Sequence, residues 1–183
     1  GGTAGWVAAL MISKVHGGIH DVSLIESTTI GIIGAGESST GALRGIMNNE
    51  VWDYGCNELE FMKYAKATPK LAILHKNWTG DNSEYIAPID SAQLEVDTGT
   101  NSILTSYIAN DIPMHMASVN GRLVEFGNSP FYTENGKMKR AVNTYAYNFD
   151  ARLAAKYIQE KCDKVKHIDA KILDINLKEN GYV

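Results

Sequence analysis

Two glycines and one acid carry the clearest chemical signal in the chain. Gly2 and Gly5 fit the second and third glycines of a G-x-G-x-x-G turn. The middle glycine of such a turn lets the backbone approach a pyrophosphate, and the last lets a helix pack closely on a sheet. A helix beginning near Thr3 and Ala4 would aim unpaired N–H groups and the positive end of its dipole at phosphate oxygens. Glu26 follows Gly5 by roughly the 20 residues at which the fingerprint places an acid for ribose hydroxyls. The plainer alternative is a tight turn on a helix and a solvated acid at a strand end. Spacing and context together favour the dinucleotide site.

Lys70 opens a second stretch of interest, because Leu71, Ala72, Ile73 and Leu74 after it are all apolar. Burial on both faces would hold its amine in low dielectric and favour the neutral form. A lysine at a strand start is otherwise a solvated charge. Gly34, Ala35, Gly36 and Glu37 form either a loop whose glycines let backbone pass close to a ligand or an ordinary turn. Histidines 16, 20, 75, 115 and 167 make no metal set, since Gly17-Gly18 breaks the helix that would align His16 with His20. Ser38-Ser39 lies in no G-x-S-x-G elbow, so serine nucleophile chemistry has no support. Asn77-Trp78-Thr79 matches a glycosylation sequon, which is read as chance because no secretory signal is expected.

These residues need elements to hold them. Thr3–Lys14 is apolar nearly all round, which predicts a helix buried on both faces and ended by Gly17-Gly18. Val22–Glu26 reads as a short strand. The glycine-rich loop over 30–37 leads to a helix near Ser39–Met47. Asn57–Ala65 reads as a helix with Asn57 as N-cap, stopped by Pro69. Lys70–Trp78 is strand-like, while 79–140 is less regular, with one helix near Ile103–Asn110. Phe149–Asp163 is an amphipathic helix with Asp150 near its start. Ile172–Leu177 alternates apolar and polar residues like a half-buried strand. The alternation of helix and strand predicts an α/β fold.

Composition sets the bounds. The 183 residues, 44% apolar and 21% charged, suit one ordinary soluble domain. A net charge of −4 argues against a nucleic-acid binder. No apolar run approaches the ~18 residues of a membrane span. Cys56 and Cys162 have no CxxC neighbour, which excludes a disulfide scaffold and fits a reducing compartment, expected to be the cytoplasm. The glycine turn at the start lacks the strand that normally precedes it, and Asn180-Gly181-Tyr182-Val183 resembles a turn leading into another strand. Both ends therefore look cut in mid-structure, and the expectation is an N-terminal piece of a longer protein.

Gly-Gly-Thr-Ala-Gly-Trp at 1–6, Leu-Ile-Glu-Ser at 24–27 and Gly-Ala-Gly-Glu at 34–37 together resemble the flavin-dependent tryptophan halogenase family, with its GGGTAGW, LxES and GxGE segments. Pro69-Lys70-Leu71-Ala72-Ile73, running to Asn77-Trp78, is similar to the family's lysine strand. Tyr145–Ala151 is similar to its AYHFDA segment. The chain departs from the family at Gly31-Ile32, where Pro-Arg is usual, and at Gly41, where Pro is usual. Those departures bear on halide and substrate preference. The family's WxWxIP segment and catalytic glutamate usually lie beyond about residue 183, and Trp6, Trp52 and Trp78 do not form that pattern.

The resemblance implies a glutathione-reductase-like, Rossmann-type FAD-binding fold, with residues 1–183 as the FAD-binding module and the start of a substrate region. It implies that reduced FAD, supplied by a separate flavin reductase, reacts with oxygen and halide to give hypohalous acid. That oxidant reaches a second pocket, where Lys70 holds or carries the halogen for an electron-rich aromatic substrate. Gly2, Thr3, Ala4, Gly5, Glu26, Gly34, Ala35, Gly36 and Glu37 would contact FAD, and the backbone of Ile172 would meet its adenine. Metal, nucleic acid and membrane are not expected as partners, and self-association into a homo-oligomer is open. The alternatives are a flavin monooxygenase without halogenation and a non-catalytic nucleotide-binding module.

Overall fold

A computed structural model describes residues 1–30, 37–90, 108–179 and 181. The chain forms two compact units, one of residues Gly1–Glu37, Ile46–Ala67 and Phe149–Val183, the other of Ser38–Gly45 and Thr68–Asn148.

The first unit is built on helix α1 (Gly2–His16) and strand β1 (Val22–Glu26). Strand β9 (Val165–Asp169) runs parallel to β1, in a register from Val22 opposite Val165 to Glu26 opposite Asp169. A parallel neighbour requires a crossover, and helix α5 (Ala151–Lys161) leads into β9. Asp150 caps α5 by accepting from the N–H groups of Arg152 and Leu153 at 2.9 and 3.1 Å. Its inner face carries Ala151, Ala154 and Ala155 beside Tyr157 and Ile158, and these small residues let α1 pack closely. Helix α1 answers with Trp6, Ala9, Leu10 and Ser13, one stripe at helical spacing. Helix α3 (Glu58–Tyr64), capped by Asn57, inserts Phe61 edge-on against Tyr157 at 5.4 Å between centroids.

The second unit centres on strand β8 (Ala146–Phe149), flanked by β2 (Glu37–Ser38) and β3 (Thr68–Lys70). Lys70 pairs with Ala146 and Thr68 with Asn148, antiparallel. Helix α2 (Gly41–Met47) begins in this unit, and the Arg44 guanidinium lies 4.9 Å above the Tyr145 ring. Strands β4 (Ala72–Lys76) and β5 (Glu84–Pro88) form a hairpin. Strands β6 (Phe131–Glu134) and β7 (Lys137–Arg140) form another, whose turn holds Asn135 and Gly136 at positive φ. Positive φ at both central residues is what a two-residue hairpin turn demands. Helix α4 (Val119–Glu125) is capped by Ser118, whose hydroxyl accepts from the Gly121 N–H at 2.8 Å.

Several expectations change. Helix α1 is buried on one face only, with Met11, Ile12 and Val15 exposed, because its described neighbours meet a single stripe. Lys70–Trp78 is not one strand. It splits at Leu71, since β3 pairs with β8 whereas β4 pairs with β5. Ile172–Leu177 forms no strand, and the strand beside β1 is Val165–Asp169 instead. Alternation in sequence fits an exposed extended segment as well as a strand, and only hydrogen-bond partners make the difference. The region 79–140, read as irregular, contains β5, α4, β6 and β7. Residues 103–107 of the helix expected near Ile103–Asn110 fall outside the described residues. Among the described residues no helix is long and apolar enough to cross a membrane.

Candidate functional site

The glycine turn and the acid meet in the first unit. Gly2 has φ +66, a conformation that side chains with a Cβ rarely adopt, and a Cβ there would have no heavy atom within 4 Å. A Cβ at Gly1 would run into the Glu26 side chain, so glycine is what lets the acid close on the turn. A Cβ at Gly5 would stand 3.8 Å from Leu24, an ordinary contact, so Gly5 permits close packing of α1 on β1 without demanding it. Glu26 accepts from the Gly2 N–H through Oε2 at 3.2 Å. Its Oε1 accepts from the Trp6 indole N–H at 3.2 Å and lies 3.2 Å from His167 Nε2. The N-cap Gly1 supplies no side-chain cap and the first turn of α1 holds no acid, so past Gly2 its N–H groups lack intrahelical partners. Thr3 turns its hydroxyl to the Ala151 carbonyl at 3.3 Å.

Trp6 and His167 are the residues that sequence reasoning missed. Trp6 lies one turn into α1, and only the parallel register, Leu24 opposite His167, brings the histidine diagonally beside Glu26 on one face of the strand pair. The two rings meet edge to face at 5.2 Å.

Lys70 lies in the second unit, half-buried at the end of β3, and donates from Nζ to Ser38 Oγ at 3.0 Å. Burial on both faces, expected from the apolar run, is absent among the described residues. Leu74 is 52% exposed, because β4 has left the sheet for its own hairpin. A cavity of about 350 Å³ opens beside the lysine, with Leu71, Leu74, Ile86 and Val124 as its apolar lining and Lys70 and Asn148 as its polar members. Apolar walls with few polar groups are the common make-up of a small-molecule pocket.

Glu37 is half-buried in β2. Gly34, Ala35 and Gly36 lie outside the described residues. Ile172 is 53% exposed, in extended chain beyond β9.

A family profile described as tryptophan halogenase matches residues 1–183. The chain belongs to the tryptophan halogenase family. It is similar to the tryptophan 6-halogenase SttH of Streptomyces toxytricini, 27% identical over 100% of this chain and 38% of that protein. It is equally similar to the tryptophan 7-halogenase RebH of Lentzea aerocolonigenes, 27% identical over 100% of this chain and 37% of that protein. The crystal structure of SttH superposes with a TM-score of 0.74 at 28% identity, covering 99% of this chain and 38% of that one. The solved structure of Tar14, a tryptophan C-6 flavin-dependent halogenase (chlorinase) from taromycin biosynthesis, gives 0.75 at 25% identity, covering 98% of this chain and 36% of that one. The chain thus spans less than two fifths of the length of these relatives. The halogenase fold it shares with them is α/β and Rossmann-like, as the helix–strand order predicted.

Proposed function

We propose that residues 1–183 are the FAD-binding module and the start of the substrate region of an FAD-dependent halogenase. The enzyme would use reduced FAD from a separate flavin reductase, oxygen and halide to halogenate an electron-rich aromatic of the indole or tryptophan class. The observation that carries this reading is the family match along residues 1–183. The printed names of SttH, RebH and Tar14 support the substrate class.

The glycine turn, the uncapped start of α1 and Glu26 support FAD as the ligand of the first unit. The N–H groups of Thr3, Ala4 and Gly5 would hold a pyrophosphate at the uncapped end of α1, and Gly2 leaves room for it. Glu26 would accept a ribose hydroxyl. Gly34, Ala35, Gly36 and Glu37 would pass the ring system, and the Ile172 backbone would meet the adenine. Bound FAD supplies the oxygen-dependent oxidation of halide, and the protein supplies position and exclusion of water. Lys70 would then present the halogen to the aromatic ring, the neutral amine by bonding it or the ammonium by hydrogen-bonding hypohalous acid. The Ser38 contact and the neighbouring apolar cavity support a fixed amine beside a ring-sized space. A cytoplasmic location completes the reading, with self-association open.

Titration of the intact protein with FAD and, separately, with NADPH tests the cofactor, with flavin fluorescence quenching following the FAD arm. Quenching by micromolar FAD is the expected result, and tight NADPH binding without FAD binding would sink the flavin reading. Mass spectrometry after incubation with tryptophan, a flavin reductase and chloride or bromide should show the halogen isotope pattern. A hydroxylated product without halogen would point to a monooxygenase instead.

A further inference from the structure

We infer that Trp6 and His167 are positioning residues for Glu26, holding Oε1 so that Oε2 is left to meet a ribose hydroxyl. The inference rests on the dinucleotide reading of this site. A carboxylate oxygen offers two acceptor directions. On Oε1 one is taken by the Trp6 indole N–H at 3.2 Å, and His167 Nε2 stands 3.2 Å from the same oxygen, within ion-pair distance. A carboxylate only accepts, so in the proposed clamp His167 would act with the hydrogen on Nε2. Oε2 accepts from the Gly2 N–H at 3.2 Å, and its second acceptor direction would meet the ribose hydroxyl.

The clamp is rigid for reasons that lie outside the site. Trp6 is 3% exposed and fixed in the α1 stripe against α5, so its indole N–H has one direction. His167 is held by the β1–β9 register and by its edge-to-face contact with Trp6. A free glutamate side chain would have to give up its rotamer freedom when the nucleotide arrives. Here that ordering precedes binding, which raises affinity without a new contact to the ligand.

A double-mutant cycle on FAD affinity in the intact protein tests the inference. His167→Phe keeps a ring against Trp6 but has no donor, and should weaken FAD about five- to tenfold. His167→Gln, which restores an N–H donor, should recover most of that loss. In a Glu26→Ala background, itself weaker for FAD, His167→Phe should cost nothing further. The same substitution should weaken ADP but leave 2′,3′-dideoxy-ADP unchanged, a distinction that a merely structural role would not produce. Equal losses with and without Glu26, or for both ADP analogues, would overturn the positioning role. His167→Leu serves as the second donor-less variant, and if neither folds while His167→Gln does, His167 holds the sheet and the inference falls. Failure of the wild-type protein to bind FAD at all would instead remove the dinucleotide reading. Normal FAD binding that weakens in Glu26→Ala but ignores His167→Phe would remove the inference alone.

Discussion

In the proposed reaction, Lys70 is the residue on which halogenation rather than oxygen insertion would turn. Its amine is fixed by Ser38 at 3.0 Å, and it stands half-exposed at a strand end rather than sealed in a strand interior. If it acts after the flavin steps, Lys70→Ala should still bind FAD and consume oxygen with reduced flavin. Halogenated product should fall by about a hundredfold or more, the scale of a positioned acid–base group. Lys70→Met keeps the apolar stem without the amine and should be equally inactive. Product restored by Met would show that the side chain only fills space. The two thiols make a separate prediction. Burial pushes both Cys56 and Cys162 up to about 11. Neither should react with a thiol reagent at pH 8 in the native protein, and both should react after denaturation. Because the native state keeps its thiol protons longer than the unfolded chain, stability from this source is complete below pH 9. It should decline as pH rises from 9 toward 11. Urea melts across that range check the sign.

At the scale of elements, the caps and the helix stripe are the parts whose loss can be sized. Asp150 satisfies two N–H groups at the start of α5, so Asp150→Ala should cost about 1 kcal/mol in thermal or urea unfolding. Leu10 is fully buried in the α1 stripe, and Leu10→Ala should cost about 2–5 kcal/mol according to how far the cavity collapses. The β4–β5 turn depends on Asp81, which accepts from Thr79 Oγ1 at 2.6 Å and from the Ser83 N–H at 2.9 Å. Hydrogen bonds from Ser83 and Thr79 lower its carboxyl to about 2. That contribution is present above the ordinary value of 3.8 and fades as pH falls toward 2. The protection of the β4–β5 turn amides, corrected for the intrinsic exchange rate at each pH, should therefore fall over that interval, and Asp81→Ala should abolish the change.

For the molecule as a whole, local and non-local information separate cleanly. The Asn57 cap, the acid at the start of α5, the α5 stripe and the α1–β1 order were legible because capping and periodicity act within a few residues. Glu26 was legible for a related reason, since a fixed spacing after a glycine turn brings the end of β1 to the start of α1. The sequence by itself thus determined an α/β chain with an acid facing an uncapped helix. Only the tertiary structure decided which strand lies beside β1, and with it the His167 half of the Glu26 clamp, because strand register depends on a partner distant in the chain. It alone separated Lys70 from the apolar strand that follows it, since β3 and β4 find different partners that no local pattern encodes. The same dependence on distant partners left Ile172–Leu177 extended and exposed where alternation had predicted a strand.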